Sequence, residues 1–273
     1  MKEMSNLTQR ILTGLIYGIT SIACLSFSPI SFVIFFLVVM VIGLNEFYNL
    51  ANKLDYKPNR ILTTITSVLI FATSLSIYSF PDYSKTLVAC SILSILTILV
   101  STLFQKENKA FKSTASTFLA ILYVALPFSL TNLIAFQNGI FKYEIILSSF
   151  ILVWLSDTGG YFIGVKFGKR KLMERISPKK SWEGAFGSIL FSVIGAIFIS
   201  KYFTLFDTVE WIILSVIICV SSILGDLIES MFKRNAGIKD TGNILPGHGG
   251  VLDRFDSIIF VLPMIYIFQL IIL

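Results

Sequence analysis

What most constrains this chain is the spacing of its polar residues. Apolar runs of about 20 residues, long enough to cross the hydrocarbon core of a bilayer, recur from end to end with short polar loops between them. Nine can be marked, at roughly 11–27, 30–50, 61–79, 86–104, 113–136, 144–166, 184–203, 209–229 and 251–272. Lipid offers no partner to a backbone N–H or C=O, so each run must satisfy its own polar groups as a helix. Pro127 and Pro263 fall inside runs, where a kink is tolerated. The composition agrees: 55% of the 273 residues are hydrophobic, only 14% are charged, and mean hydropathy is +0.82. A soluble domain carries about 25% charged residues. A soluble enzyme and a disordered chain are both excluded, and no room remains for a large soluble domain. The expected fold is all-α: a polytopic integral membrane bundle of about nine transmembrane helices. It forms a single membrane-embedded domain over 1–273, with the chemistry-bearing motifs in 144–273.

The net charge is +6, and its distribution reads as topology rather than nucleic-acid binding. With nine spans, nineteen of the 22 Lys and Arg residues fall on the side of the N-terminus; only Lys85, Lys142 and Lys201 fall on the other. By the positive-inside rule the N-terminus is cytoplasmic and the C-terminus lies outside. The apolar run after Lys2 and Arg10 has no small-residue cleavage site and reads as a retained first span. Cys24, Cys90 and Cys219 each sit in an apolar run, without metal-ligand or CxxC spacing, and read as buried hydrophobes.

Seven acids lie within or flush with spans: Glu46, Asp157, Glu183, Asp226, Glu229, Asp253 and Asp256. Such residues are costly and are functional candidates by default. All but Asp157 fall at expected cytoplasmic helix ends. Asp226/Glu229 and Asp253/Asp256 are both spaced i, i+3, which places each pair on one helix face. The two helices are joined by a loop of about twenty residues, so up to four carboxylates could converge. Hard oxygen ligands of this kind suit Mg²⁺; the alternative is a structural set of ion pairs with Lys233, Arg234 and Arg254. The connecting loop holds five glycines (Gly237, Gly242, Gly247, Gly249, Gly250) and the only histidine, His248. Glycine-rich turns can present N–H groups to an anion, which points to a metal–polyphosphate site. One histidine excludes a multi-histidine metal centre.

The loop 166–184 is also strongly basic. Ser177-Pro178 reads as a helix start, with Ser as cap and Pro in the first turn. That would set Lys179 and Lys180 at the positive end of a helix dipole, where an anion is favoured. Asp157-Thr158-Gly159-Gly160 reads as a break in the sixth span that faces the bundle interior or a wet cavity.

The stretch Ser230-x-Phe232-Lys233-Arg234, then Lys239-Asp240-x-Gly242, then Leu245-Pro246-x-His248-Gly249-Gly250-Val251-x-Asp253-Arg254-Phe255-Asp256 resembles the signature of the phosphatidate cytidylyltransferase (CDP-diacylglycerol synthase) family at every specified position. Residues 157–184 look like that family's second motif block, with Gly160 where alanine is more usual and Ser181 where threonine is. The two regions cover about a fifth of the chain; elsewhere the resemblance is in hydropathy and span number.

The resemblance implies transfer of the cytidylyl group of CTP to phosphatidate, giving CDP-diacylglycerol and pyrophosphate. It implies Mg²⁺ dependence, with a monovalent cation such as K⁺ as a further option, and a homodimer in the cytoplasmic membrane with a polar cavity near the cytosolic face. Asp226, Asp253 and Asp256 are the expected metal ligands, with Glu229 and Asp157 as second choices. Lys233, Arg234, Lys239 and Arg254 are expected on the phosphates. Ser177, Lys179, Lys180, Glu183, Asp157, His248, Gly249 and Gly250 complete the expected substrate site. Two other readings compete: a CTP-dependent kinase of a polyprenol or other lipid alcohol, which would release CDP, and an anion transporter. The latter predicts charge on both faces or an inverted repeat, and neither is present in the sequence.

Overall fold

The computed structural model describes residues 6–105, 107–137, 139–244, 247 and 249–272. Among the described residues ten α-helices follow one another: α1 (Asn6–Ser26), α2 (Pro29–Lys53), α3 (Arg60–Ser79), α4 (Pro81–Ser101), α5 (Glu107–Ala120), α6 (Leu126–Ala135), α7 (Glu144–Phe167), α8 (Trp182–Ile199), α9 (Thr208–Asn235) and α10 (Leu252–Ile272). Among the described residues, eight spans are long and apolar enough to cross a membrane, counting Ala110–Ala135 as one; the apolar part of α1, Thr13–Ser26, is shorter. The polytopic helical expectation therefore holds, and each of the nine apolar runs falls on helix. α5 and α6 are joined by a π-helical turn at Ile121–Ala125, which ends two residues before Pro127. A proline ring collides with the carbonyl four residues back, and the wider turn relieves that collision without ending the span.

The chain clusters into two compact units. One comprises 1–142 with 235–255, the other 143–234 with 256–273. The 144–273 motif region is thus shared: the loop 235–255 belongs to the first unit.

The core of the first unit is aromatic. Phe32 and Phe36 meet edge-on at 4.8 Å, and Phe128 packs edge-on to Phe255 at 5.6 Å. Tyr17 meets the same Phe255 at 6.0 Å. Phe255 thereby plugs the first turn of α10 into this cluster. A buried amide ties α6 to α3 here: Asn132 Nδ2 donates to the Phe71 carbonyl (3.2 Å) and to Ser74 Oγ (3.0 Å).

In the second unit the closest packing is between α7 and α8, and glycine makes it possible. A methyl group at Gly159 would lie 2.6 Å from the Gly187 carbonyl oxygen, and one at Gly187 2.8 Å from that of Gly159. Ser188 Oγ donates to the Ser156 carbonyl across the same seam (2.8 Å). Small residues that let backbones touch are a general way for membrane helices to associate, because lipid tails give them no hydrophobic drive to do so. This corrects the expected break at Asp157–Gly160. α7 runs unbroken through it, and the two glycines serve close approach instead. α9 and α10 also touch backbone to backbone: a methyl at Gly225 would lie 2.5 Å from the Asp256 carbonyl oxygen, and Ser257 Oγ donates to the Ser222 carbonyl (3.3 Å).

Two short hairpins complete the fold: β1 (Phe136–Gln137) with β2 (Ile140–Phe141), and β3 (Lys171–Met173) with β4 (Ser177–Ser181). The second corrects the expected helix start at Ser177. Ser177 and Pro178 lie in β4, and the helix begins four residues later. Its cap is Ser181, extended at φ −131° and ψ 158°, whose Oγ accepts from Gly184 N (3.2 Å). Pro178 is tolerated because a two-stranded ladder is all edge.

Candidate active site

A cleft of about 260 Å³ lies in the second unit. Three helices and the β3–β4 hairpin build it. α7 contributes Asp157, Gly160, Tyr161 and Gly164; β4 contributes Lys179 and Lys180; α8 contributes its first turn and Ser188; α9 contributes Ile223 and Asp226. Of the residues expected from sequence, Asp157, Lys179, Lys180 and Asp226 therefore share one cavity. One wall is positive, because two lysines adjoin a helix N-terminus. The opposing groups are carboxylates. The two meet at Lys180 Nζ and Asp226 Oδ2, 2.6 Å apart, while Ser230 Oγ donates to Asp226 Oδ1 (3.1 Å). Asp226 is partly exposed, with 36% of its side chain accessible.

Asp256 lies against this carboxylate's helix. The contact of Gly225 with the Asp256 carbonyl seats the turn of α9 that carries Asp226 on the turn of α10 that carries Asp256. Asp226, Asp157 and Lys233 are the charged groups that act on Asp256 through space. Glu229 is fully buried and forms an ion pair with Lys233, one turn away on the same helix. Two residues given separate roles from sequence, a metal ligand and a phosphate holder, thus neutralise each other. Arg234 is exposed at the end of α9, and Ser177, at the start of β4, is absent from the cleft lining.

Glu183 takes a supporting place. Its carboxylate accepts from the backbone amides of Lys169 (3.1 Å) and Arg170 (3.2 Å), and Trp182 N donates to the Arg170 carbonyl (2.9 Å). These bonds close the β3–β4 hairpin at its base and so hold Lys179 and Lys180 in place.

The glycine-rich loop belongs to the first unit, and four of its described amides, at Thr241, Gly250, Val251 and Leu252, are not free to cradle an anion. They bind the protein's own acids. Asp253, 6% exposed, accepts at Oδ2 from Thr241 N (2.8 Å), Thr241 Oγ1 (3.0 Å) and Gly250 N (2.8 Å). Glu46, 4% exposed, reaches in from α2. Its Oε1 accepts from Val251 N (2.9 Å) and its Oε2 from Leu252 N (2.7 Å), with Thr241 Oγ1 at 3.4 Å. The glycines are where they are because the carboxylates are so close. A methyl at Gly250 would fall 2.5 Å from Glu46 Oε2, and one at Gly249, whose φ is +84°, 2.6 Å from Asp253 Oδ2. Lys239 and Arg254 are exposed. His248, with Leu245 and Pro246, lies outside the described residues. Sequence reading noted Glu46 as a membrane-flush acid but gave it no part in the site. The available signal was an acid just inside the end of an apolar run with no basic residue within six positions.

Among the described residues, no group of three or more His, Cys, Asp or Glu side chains is placed to hold a metal ion alone. Magnesium asks less of a protein: usually one or two carboxylates, the remaining positions going to water and substrate phosphates. Asp226 and Asp256 fit that requirement. Glu229 is engaged by Lys233, and Asp253 by the loop.

A membrane helix bundle whose cleft sets lysines against carboxylates is the equipment of an enzyme that transfers phosphoryl or nucleotidyl groups at a bilayer. Residues 8–272 match the cytidylyltransferase family, and the chain belongs to it. It is 35% identical over 269 residues to the phosphatidate cytidylyltransferase of Staphylococcus aureus (strain COL), an alignment covering 94% of this chain and 97% of that protein. It is 36% identical over 262 residues to that of Staphylococcus haemolyticus (strain JCSC1435), with the same coverage. With that of Staphylococcus epidermidis (strain ATCC 12228) it shares 40% identity over 185 residues, 67% of this chain and 68% of that protein.

Proposed function

We propose that the chain transfers the cytidylyl group of CTP to phosphatidate, forming CDP-diacylglycerol and pyrophosphate. The observation that carries this reading is the cleft in which Lys179, Lys180 and the start of α8 oppose Asp157 and Asp226, in a chain of this family. A phosphate oxygen of phosphatidate attacks the α-phosphorus of CTP, and the bond to the bridging oxygen of the β-phosphate breaks. The nucleophile is already ionised near pH 7, so no strong general base is needed. The protein's task is to hold two polyanions together and to offset the charge that builds on the leaving pyrophosphate. Lys180 and Lys179 serve the phosphates. Lys180 has to exchange Asp226 for phosphate when the nucleotide enters, which frees Asp226 Oδ2.

Asp226 and Asp256 would hold Mg²⁺, which when bound supplies charge neutralisation and polarises a phosphoryl oxygen. A monovalent cation such as K⁺, homodimerisation, and placement in the cytoplasmic membrane with the site on the cytosolic side complete the proposal. Purified protein in detergent should release one pyrophosphate per liponucleotide formed, and chelation of divalent cations should stop it. Release of CDP in place of pyrophosphate would instead identify a lipid kinase. Light scattering in detergent tests the dimer.

A further inference from the structure

We infer that Glu46, in the second helix and remote in sequence from every motif, is a positioning residue for cytidylyl transfer; the inference rests on the reaction proposed above. Its carboxylate is buried and accepts from two of the loop's amides, Val251 N at 2.9 Å and Leu252 N at 2.7 Å, with Thr241 Oγ1 lying 3.4 Å away. Val251 and Leu252 are the residues at which α10 begins. Their amides are among the four that a helix leaves without internal acceptors at its N-terminus, and each takes one oxygen of Glu46. Two amides on two oxygens require a carboxylate, because a carboxamide offers one acceptor and would turn its NH₂ toward the other donor.

The loop is cut to fit this side chain. A methyl at Gly250 would meet Glu46 Oε2 at 2.5 Å, and one at Gly242 would meet the Glu46 carboxyl carbon at 3.0 Å. Thr241 joins it to Asp253, since the hydroxyl that lies 3.4 Å from Glu46 donates to Asp253 Oδ2 at 3.0 Å. Glu46 thus fixes where α10 starts, and with it Asp253 and Arg254 in the first turn. Asp256 follows four residues after Leu252 in the same helix. A helix start released from this hold carries its side chains off position, and a displacement of about 1 Å can cost 100-fold in rate.

Glu46→Gln in the full-length protein tests this. We expect kcat to fall about tenfold or more while KM for CTP and for phosphatidate stays within about threefold. Amide hydrogen exchange at Val251 and Leu252 should accelerate, and the thermal midpoint should move little. Unchanged kcat in folded Glu46→Gln overturns the inference, and so does a loss of activity with exchange at the two amides unaltered. Should that variant not fold, the wild type decides: Val251 and Leu252 must be the slowest-exchanging amides of the loop, and fast exchange there overturns the inference. The exchange measurement needs no turnover, so its outcome is separate from that of the proposed reaction.

Discussion

Five of the seven acids, Glu46, Glu183, Asp226, Glu229 and Asp253, have distinct partners, and single substitutions around the cleft should separate charge handling from binding. Asp226→Asn and Asp256→Asn should each lower kcat by about 100-fold or more, as loss of charge handling in a transition state does, with membrane expression unchanged. A steady-state assay with labelled CTP measures this; near-normal rates in both would make these carboxylates structural. Lys180→Gln should act on binding. A charge-assisted hydrogen bond is worth about 1.5–3 kcal/mol, so KM for CTP should rise roughly tenfold or more. The acids themselves were legible in the sequence, because a charge in an apolar run stands out. Their allocation was not. An i, i+3 spacing says which face two carboxylates share, but not that Lys233 comes round to Glu229, or that Thr241 and Gly250 close on Asp253. Glu46 was the least legible, because its partners lie at Val251 and Leu252.

The elements that set the cleft's width are the glycine seam and the hairpin. Gly187→Ala would force a methyl to within 2.5 Å of Ile163 Cγ1 and 2.8 Å of the Gly159 carbonyl. Overpacking of this kind costs about 1–3 kcal/mol. The thermal midpoint in detergent should fall; an unchanged midpoint would show that the helices can part without penalty. Glu183→Ala removes the acceptor for the Lys169 and Arg170 amides. Tryptic cleavage in 169–180 should quicken and KM for CTP should rise, with the spans still intact. The helices could be read from hydropathy because each must be apolar for the same reason. The β3–β4 hairpin could not, because Ser-Pro before a basic pair fits a capped helix and an edge strand equally well. What decided was Ser181, which caps α8 with its own hydroxyl.

At the scale of the whole molecule, the orientation we propose from the uneven distribution of Lys and Arg puts the N-terminus inside and the C-terminus outside. A C-terminal tag should therefore be reachable by an impermeant label in intact cells and an N-terminal one only after permeabilisation; the reverse pattern would mean a miscounted span. The bond from Leu252 to Glu46 spans 206 residues, and this bears on how the chain is made. Synthesis proceeds at about 5–20 residues per second, so α2 emerges roughly 10–40 s before the amides that will receive its carboxylate exist. During that interval the second helix must be held in the bilayer by its apolar residues, with an acid near its C-terminal end that lacks those two amides. A stretch translated much later is thus the one that allows Glu46 to leave water, and a nascent chain stopped before Val251 should hold that side chain still hydrated.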